Sequence, residues 1–273
     1  PEGSSTVSHD AKDGSFTVEL DKGDVFAMMT KIPAIDISGA IITSNKPISV
    51  IAGHMCTYLP TFQYPACDYL VETMLPISAW GKVYHSVHYA TRRKGDYYKI
   101  FAGEENATIF INGKKNGIIT RKGGGNGTGF LEYLPPDINP VEIISDKKIY
   151  VGQYNNSQTY DGVPSDPFYL MLTPLEQYQK QFVFCTPAAD FPKNYINVVC
   201  DSVGFYDLEL APGGSNNFKK MTDLYDNTFQ IFPTLINGRR YVGKTFLIQP
   251  GTSVSYTHLR AHETVLDLVC RLL

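Results

Sequence analysis

Short runs of alternating apolar and polar residues, separated by turn residues, recur along the whole chain. Ser15-Phe16-Thr17-Val18-Glu19-Leu20 has the period of two expected of a half-buried strand. Asp21-Lys22-Gly23-Asp24 supplies a turn, and Val25–Thr30 reads as the returning strand. The same grammar appears at Gly117–Thr120, a glycine-rich turn over Gly123–Gly129, and Phe130–Leu134. It appears again at Phe229–Phe232, Asn237-Gly238-Arg239 and Tyr241–Ile248. Between these, Gly39–Thr43, Ile48–Gly53, Lys82–Tyr89, Tyr97–Ala102 and Ala107–Asn112 are further strand candidates, punctuated by Asn-Lys-Pro, Lys-Gly-Asp and Asn-Gly. Long helical periodicity is absent. Pro65–Thr73 and Lys219–Tyr225 offer a turn or two of helix each, or loop.

Half of the stretch Ser44–Lys82 returns later in altered form. Ser44-Asn45-Lys46-Pro47-Ile48-Ser49-Val50 is echoed by Ser145-Asp146-Lys147-Lys148-Ile149-Tyr150-Val151, an offset of 101 (Lys46 to Lys147). Leu75-Pro76-Ile77 through Trp80-Gly81-Lys82 is echoed around Thr173-Pro174-Leu175 and Tyr178-Gln179-Lys180, an offset of 98 (Pro76 to Pro174). The difference falls in the segment holding Cys56 and Cys67, so only the first copy carries that cysteine loop. The chain therefore reads as all-β, with antiparallel strands repeating about every 100 residues. A propeller-like arrangement, two four-stranded blades per unit, is favoured, with a tandem β-sandwich as the alternative. The repeat predicts that Ile42–Gly53 matches Ile143–Gln153, that Lys82–Ala102 matches Lys180–Cys200, and that Trp80 matches Tyr178.

Val254–Leu273 does not continue this pattern and resembles a translated sequencing adaptor. Residues 1–253 are accordingly read as one all-β domain, truncated at both ends, and 254–273 as no domain at all. That leaves enough chain to build a core without cross-links. A net charge of −3 with no basic cluster argues against nucleic acid as a partner, Arg92-Arg93-Lys94 being read as a solvated turn. No apolar run approaches the roughly 20 residues that span a bilayer.

Cys56 and Cys67 close a short loop rich in Tyr, Pro and Phe, where a disulfide would restrict an otherwise mobile segment and favour an extracellular setting. Cys185 and Cys200 lie on two further strand candidates. Four cysteines allow three pairings; local ones, Cys56–Cys67 and Cys185–Cys200, are the simplest, with buried free thiols on the later strands as the alternative. A zinc site drawing on His54, Cys56, Cys67 and His85 or His88 lacks the paired spacing such sites show. Asn106-Ala-Thr, Asn126-Gly-Thr and Asn155-Asn-Ser are acceptor patterns for N-glycosylation. The glycines at 123–127 are followed by neither Gly-Lys-Ser/Thr nor a helix pattern. No nucleophile, metallo-hydrolase or triad motif appears, so no catalytic residue or cofactor is nominated.

The elements Ser44-Asn45-Lys46-Pro47, Gly53-His54-Met55-Cys56, Ala66-Cys67-Asp68 and Leu75-Pro76-Ile77-Ser78-Ala79-Trp80-Gly81-Lys82, with Asp166-Pro167-Phe168 and Pro174-Leu175-Glu176-Gln177-Tyr178, resemble the N-terminal domain of the IgGFc-binding protein family over about Gly23–Ile248. Met55 departs from the Glu common in that motif. The resemblance implies a secreted or cell-surface, non-enzymatic module of a larger multidomain protein, binding a protein or glycoprotein. The resemblance carries over no contact residues; it is the loop breaking the repeat that offers Tyr58, Phe62 and Tyr64 as contact candidates, with rings that fill the space beneath the loop as the alternative. The competing expectations are a carbohydrate-active or metal-dependent hydrolase and a structural spacer.

Overall fold

The computed structural model describes residues 16–30, 36–120, 129–186, 191, 193–212, 215, 217–249, 251–257 and 265–267, with backbone only for 212 and for the last two stretches. The chain is all-β and antiparallel. Its strands are β1 (Ile51–Thr57), β2 (Asp68–Thr73), β3 (Gly81–Ser86), β4 (Tyr97–Ala102), β5 (Ala107–Ile111), β6 (Lys114–Ile119), β7 (Phe130–Tyr133), β8 (Val141–Asn155) and β9 (Phe168–Met171). They continue as β10 (Gln181–Thr186), β11 (Asn194–Asp201), β12 (Leu208–Pro212), β13 (Lys219–Lys220), β14 (Gln230–Ile236), β15 (Arg239–Ile248), β16 (Gly251–Thr257) and β17 (Val265–Asp267). Asn112-Gly113 and Asn237-Gly238, both at positive φ, join β5 to β6 and β14 to β15. Two consecutive left-handed residues match the strand twist, which is why Asn-Gly marks such hairpins.

The first unit is built on β8, a strand of 15 residues. Its first half lies between β3 and β5, and its second half between β4 and β9. With β6 beside β5 and β7 beside β4, two four-stranded orders share one strand and curl around a single core. Tyr84, Ile100, Ile109, Ile143, Ile149 and Val151 fill that core. Midway along β8, the buried Tyr84 hydroxyl donates to the Ile149 carbonyl (2.6 Å) and accepts from the Gly81 N–H (3.1 Å). Burial pushes this phenol well above its ordinary pKa, so it stays a donor. A side chain at Gly81 would collide with Pro174 and Glu176, which accounts for glycine in Trp-Gly-Lys.

In the second unit, β10-β16-β12-β13 packs against β14-β15-β11-β17, with Phe184, Ile196, Val198, Leu208, Phe205 and Phe246 between them. The second unit is thus of the sandwich type, whereas the first is a single sheet curled nearly into a barrel; the favoured propeller-like ring of blades is not seen among the described residues. The tail reading concerns 254–273, of which 254–257 and 265–267 are described, in β16 and β17; the rest lies outside the described residues.

The repeat extends to hydrogen-bond register. Ile51, Ala52, Gly53 and His54 of β1 pair with Thr73, Glu72, Val71 and Leu70 of β2. At the same offsets, Gly152, Gln153, Tyr154 and Asn155 of β8 pair with Met171, Leu170, Tyr169 and Phe168 of β9. A 3-10 turn follows each hairpin, Ile77–Ala79 and Leu175–Gln177, and ends on Trp80 and Tyr178 respectively. Trp80 packs on Tyr150 within the first unit, whereas Tyr178 is buried between the units.

The match stops before β1. Ile42–Val50, the counterpart of Ile143–Val151, is not a strand, and Ile48 is 52% exposed where Ile149 is fully buried. Ile149 has β3 and β4 beside it; among the described residues no strand lies beside Ile48. The candidates Phe16–Leu20, Val25–Thr30 and Gly39–Thr43 are likewise not strands, and Ser15 lies outside the described residues. Of the two short helix candidates, Asp68–Thr73 is strand and Met221–Leu224 a single helical turn.

The units meet through Val87, Leu175, Tyr178, Val199, Phe232 and Tyr241. Inside this apolar junction His85 and Glu142, both fully buried, form an ion pair (Nε2 to Oε2, 3.4 Å). His85 stacks on Tyr241 and its Nδ1 lies 3.3 Å from the Tyr178 hydroxyl. Burial works against the Glu142 carboxylate, but His85 and the Thr234 N–H outweigh it and hold its pKa below the ordinary value.

Two outcomes are expected. Ile149→Ala lowers unfolding free energy by about 2–5 kcal/mol, as core truncations do, while Ile48→Ala stays within about 0.5 kcal/mol, both measured by urea denaturation. The ionised Glu142 contributes stability that is complete above the ordinary glutamate value of 4.5 and is lost as pH falls through the lower folded value. Urea midpoints taken from pH 7 to pH 3 therefore fall further for the wild type than for Glu142→Gln.

Candidate binding surface

β1 and β2 form a hairpin whose connecting loop carries the cysteines. Cys56 and Cys67 are joined by a disulfide, with a Cα separation of 5.0 Å. Leu59 points inward and is buried with Leu70 and Tyr97 against Tyr154 and Tyr169, so the inner side of this hairpin covers the outer side of the β8–β9 hairpin. Backbone bonds fix the loop further. The Ser157 N–H donates to the Leu59 carbonyl (2.9 Å), the Ser157 hydroxyl to the Ala66 carbonyl (2.9 Å), and the Thr159 hydroxyl to the Pro65 carbonyl (2.7 Å).

This docking sorts the three aromatic candidates. Phe62 is 82% exposed and Tyr58 is exposed at the loop's other end, whereas Tyr64 is half-buried, edge-on to Tyr160 at 5.0 Å. The outer face of the hairpin adds exposed Ile51, Met55, Tyr69 and Val71. A cross-linked, hydrogen-bonded loop holding aromatics in water loses little conformational entropy when it meets a partner.

Beneath the loop lies a buried polar bed. Arg92 pairs with Asp161 (3.0 Å) and donates to the Ser157 carbonyl (3.2 Å). Asp96 accepts from the Tyr89 N–H (3.0 Å) and the Gln153 amide (2.7 Å), and lies 3.5 Å from His88. Burial draws the Arg92 guanidinium below its ordinary pKa, and Asp161 and Asp96 oppose that shift. Reading Arg92-Arg93-Lys94 as a solvated turn thus fails for Arg92, which is 4% exposed. Its partner is 69 residues away, and no local spacing announces the pair.

Other sequence-derived candidates separate. Cys185 and Cys200 are not bridged: Cys185 is exposed on β10, Cys200 is buried on β11, and those strands belong to opposite sheets of the second sandwich. Burial raises the Cys200 thiol above its ordinary value. Asn106 is exposed in the β4–β5 turn, and Asn126 lies outside the described residues. Asn155 is fully buried, its amide donating to the Ser165 hydroxyl and the Asp166 carbonyl (2.7 Å), so in the folded chain it is no acceptor for a glycan. The Cys56 and Cys67 sulfurs are bonded to each other, His54 accepts the Cys56 N–H, and His85 is paired with Glu142, so these groups do not converge on a metal. The concavity lined by Ile111, Asn112, Lys114, Tyr133 and Asp137 contains one carboxylate, not the pair a glycosidase employs. No helix among the described residues is long and apolar enough to cross a membrane.

The human IgGFc-binding protein is 23% identical over 150 residues, covering 55% of this chain and 3% of that protein. No solved structure matches the chain. The family model described as IgGFc binding protein matches residues 2–234, most of the chain, and the chain belongs to that family.

Proposed function

We propose that residues 1–253 form an extracellular, non-enzymatic binding module of a larger multidomain protein, recognising a protein or glycoprotein through the Cys56–Cys67 loop. Family membership supports the class of function, and the disulfide fits an oxidising, extracellular setting. The observation that carries the reading is the loop itself. It is the segment that breaks the repeat, it is pinned from below at Leu59, Ser157 and Tyr64, and it holds Phe62 and Tyr58 in solvent. Rigid aromatics of this kind are typical centres of interface energy. An immunoglobulin Fc or a mucin-like glycoprotein is the partner class that the family name and the resemblance bring forward.

Capture from mucus or serum on the immobilised chain, followed by mass spectrometry, identifies the partner. Phe62→Ala and Tyr58→Ala then weaken its binding about tenfold or more, roughly 1.4 kcal/mol, with the melting temperature unchanged. Tyr64→Ala lowers the melting temperature, because it removes the contact with Tyr160. Retention of nothing, together with turnover of a glycan or ester from a panel, would contradict the proposal.

A further inference from the structure

The two units share the strand order around β8 in part, which exposes an unfilled role in the first fifth of the chain. β8 runs between β3 and β5 and then beside β4, keeping β9 on its far edge. In the second unit the corresponding places, between β10 and β12 and then beside β11, are held by β16 and β17. Yet the sequence that echoes β8 is not 251–267 but Ile42–Thr57. That segment already carries β8's far-edge partner in equivalent form, since β2 pairs with β1 in the register of β9 with β8. It lacks the other neighbours: Ile42 and Ile48 are exposed, and Ile51, on the unpaired edge of β1, is 67% exposed.

We propose that Ile42–Thr57 of one copy completes the second unit of another copy, taking the place of β16 and β17, so that chains join head to tail. Carrying the β3–β8 register across, Tyr84 opposite Ile143 becomes Phe182 opposite Ile42. Carrying the β4–β8 register across, Ile100 opposite Val151 becomes Val198 opposite Val50. Apolar residues therefore meet at both positions, and Val198 belongs to the second core as Ile100 does to the first. Main-chain pairing along a sheet supplies affinity and the alternating side chains supply register. The contact is heterologous, so growth is open-ended or closes into rings. Because β16 and β17 occupy the site within each chain, exchange is slow and rises with concentration.

The test uses the full chain. Mixed 14N- and 15N-labelled copies, incubated at high concentration and treated with an amine-reactive cross-linker, yield an isotopically mixed Lys46–Lys180 cross-link. These are the counterparts of Lys147 and Lys82, and Lys82 donates to the Asp146 carbonyl at 2.8 Å. Sedimentation shows a ladder of species that shortens when a synthetic peptide of residues 41–57 is added. Ile42→Asp with Ile48→Asp removes both ladder and cross-link and leaves the melting temperature of the monomer unchanged. A chain that stays monomeric at every concentration overturns the proposal. So do oligomers that lack the Lys46–Lys180 cross-link or persist in the double variant.

Discussion

A strand buried on both faces and flanked on both edges has to find a partner for every N–H and C=O it carries, since an unpaired buried backbone group costs as much as a lost hydrogen bond. β8 meets that requirement with four neighbours rather than two, handing over from β3 and β5 to β4 and β9 about midway. The Tyr84 hydroxyl sits at the handover and ties Gly81 to Ile149. Everything in the first unit hangs from that arrangement: the core on one side, the second hairpin on the other, and Asn155, Asn156 and Ser157 at its end, which anchor the loop regions.

The binding surface inherits its rigidity from the same strand. Ser157 lies two residues after the end of β8, and it is Ser157 that bonds the Cys56–Cys67 loop at Leu59 and Ala66. Arg92 and Asp161 support it from below as a buried pair. Such pairs contribute little net stability against a packed apolar alternative, and losing one partner is costly. Their value here is geometric: they hold the turn after β8 in the single position that receives the loop. The disulfide acts at the other side of the loop, so Phe62 and Tyr58 are displayed between two fixed ends.

Much of this was legible in the residues. Period-two alternation with Asn-Gly punctuation located β4, β5, β14 and β15, and the echo of Ser44–Val50 in Ser145–Val151 located the repeat whose register the hairpins share. The Cys56–Cys67 bridge belongs to the simplest, local choice among the three pairings that the sequence left open. Long-range partnerships were not legible. Alternation shows that Ile42 and Ile48 would suit a strand but not whether a neighbour exists, so they read as strand and are exposed coil. Cys185 and Cys200 looked like neighbours because their strands are consecutive, yet β10 and β11 lie in different sheets. The His85–Glu142 and Arg92–Asp161 pairs join residues 57 and 69 positions apart, and no motif encodes them. Asn155 satisfies the acceptor pattern while spending its amide inside the fold.

The central claim is that one sequence pattern builds paired, buried strand wherever its lateral neighbours are present and not otherwise. Amide hydrogen exchange, resolved by residue on the dilute monomeric chain, tests it most directly, because it compares the two copies of the pattern in a single experiment. The account predicts that Ile143–Gln153 exchanges only through global unfolding, while Ile42–Val50 exchanges within seconds to minutes. Equal protection of the two segments in the monomer, or release of β8 well below the global unfolding free energy, would contradict it.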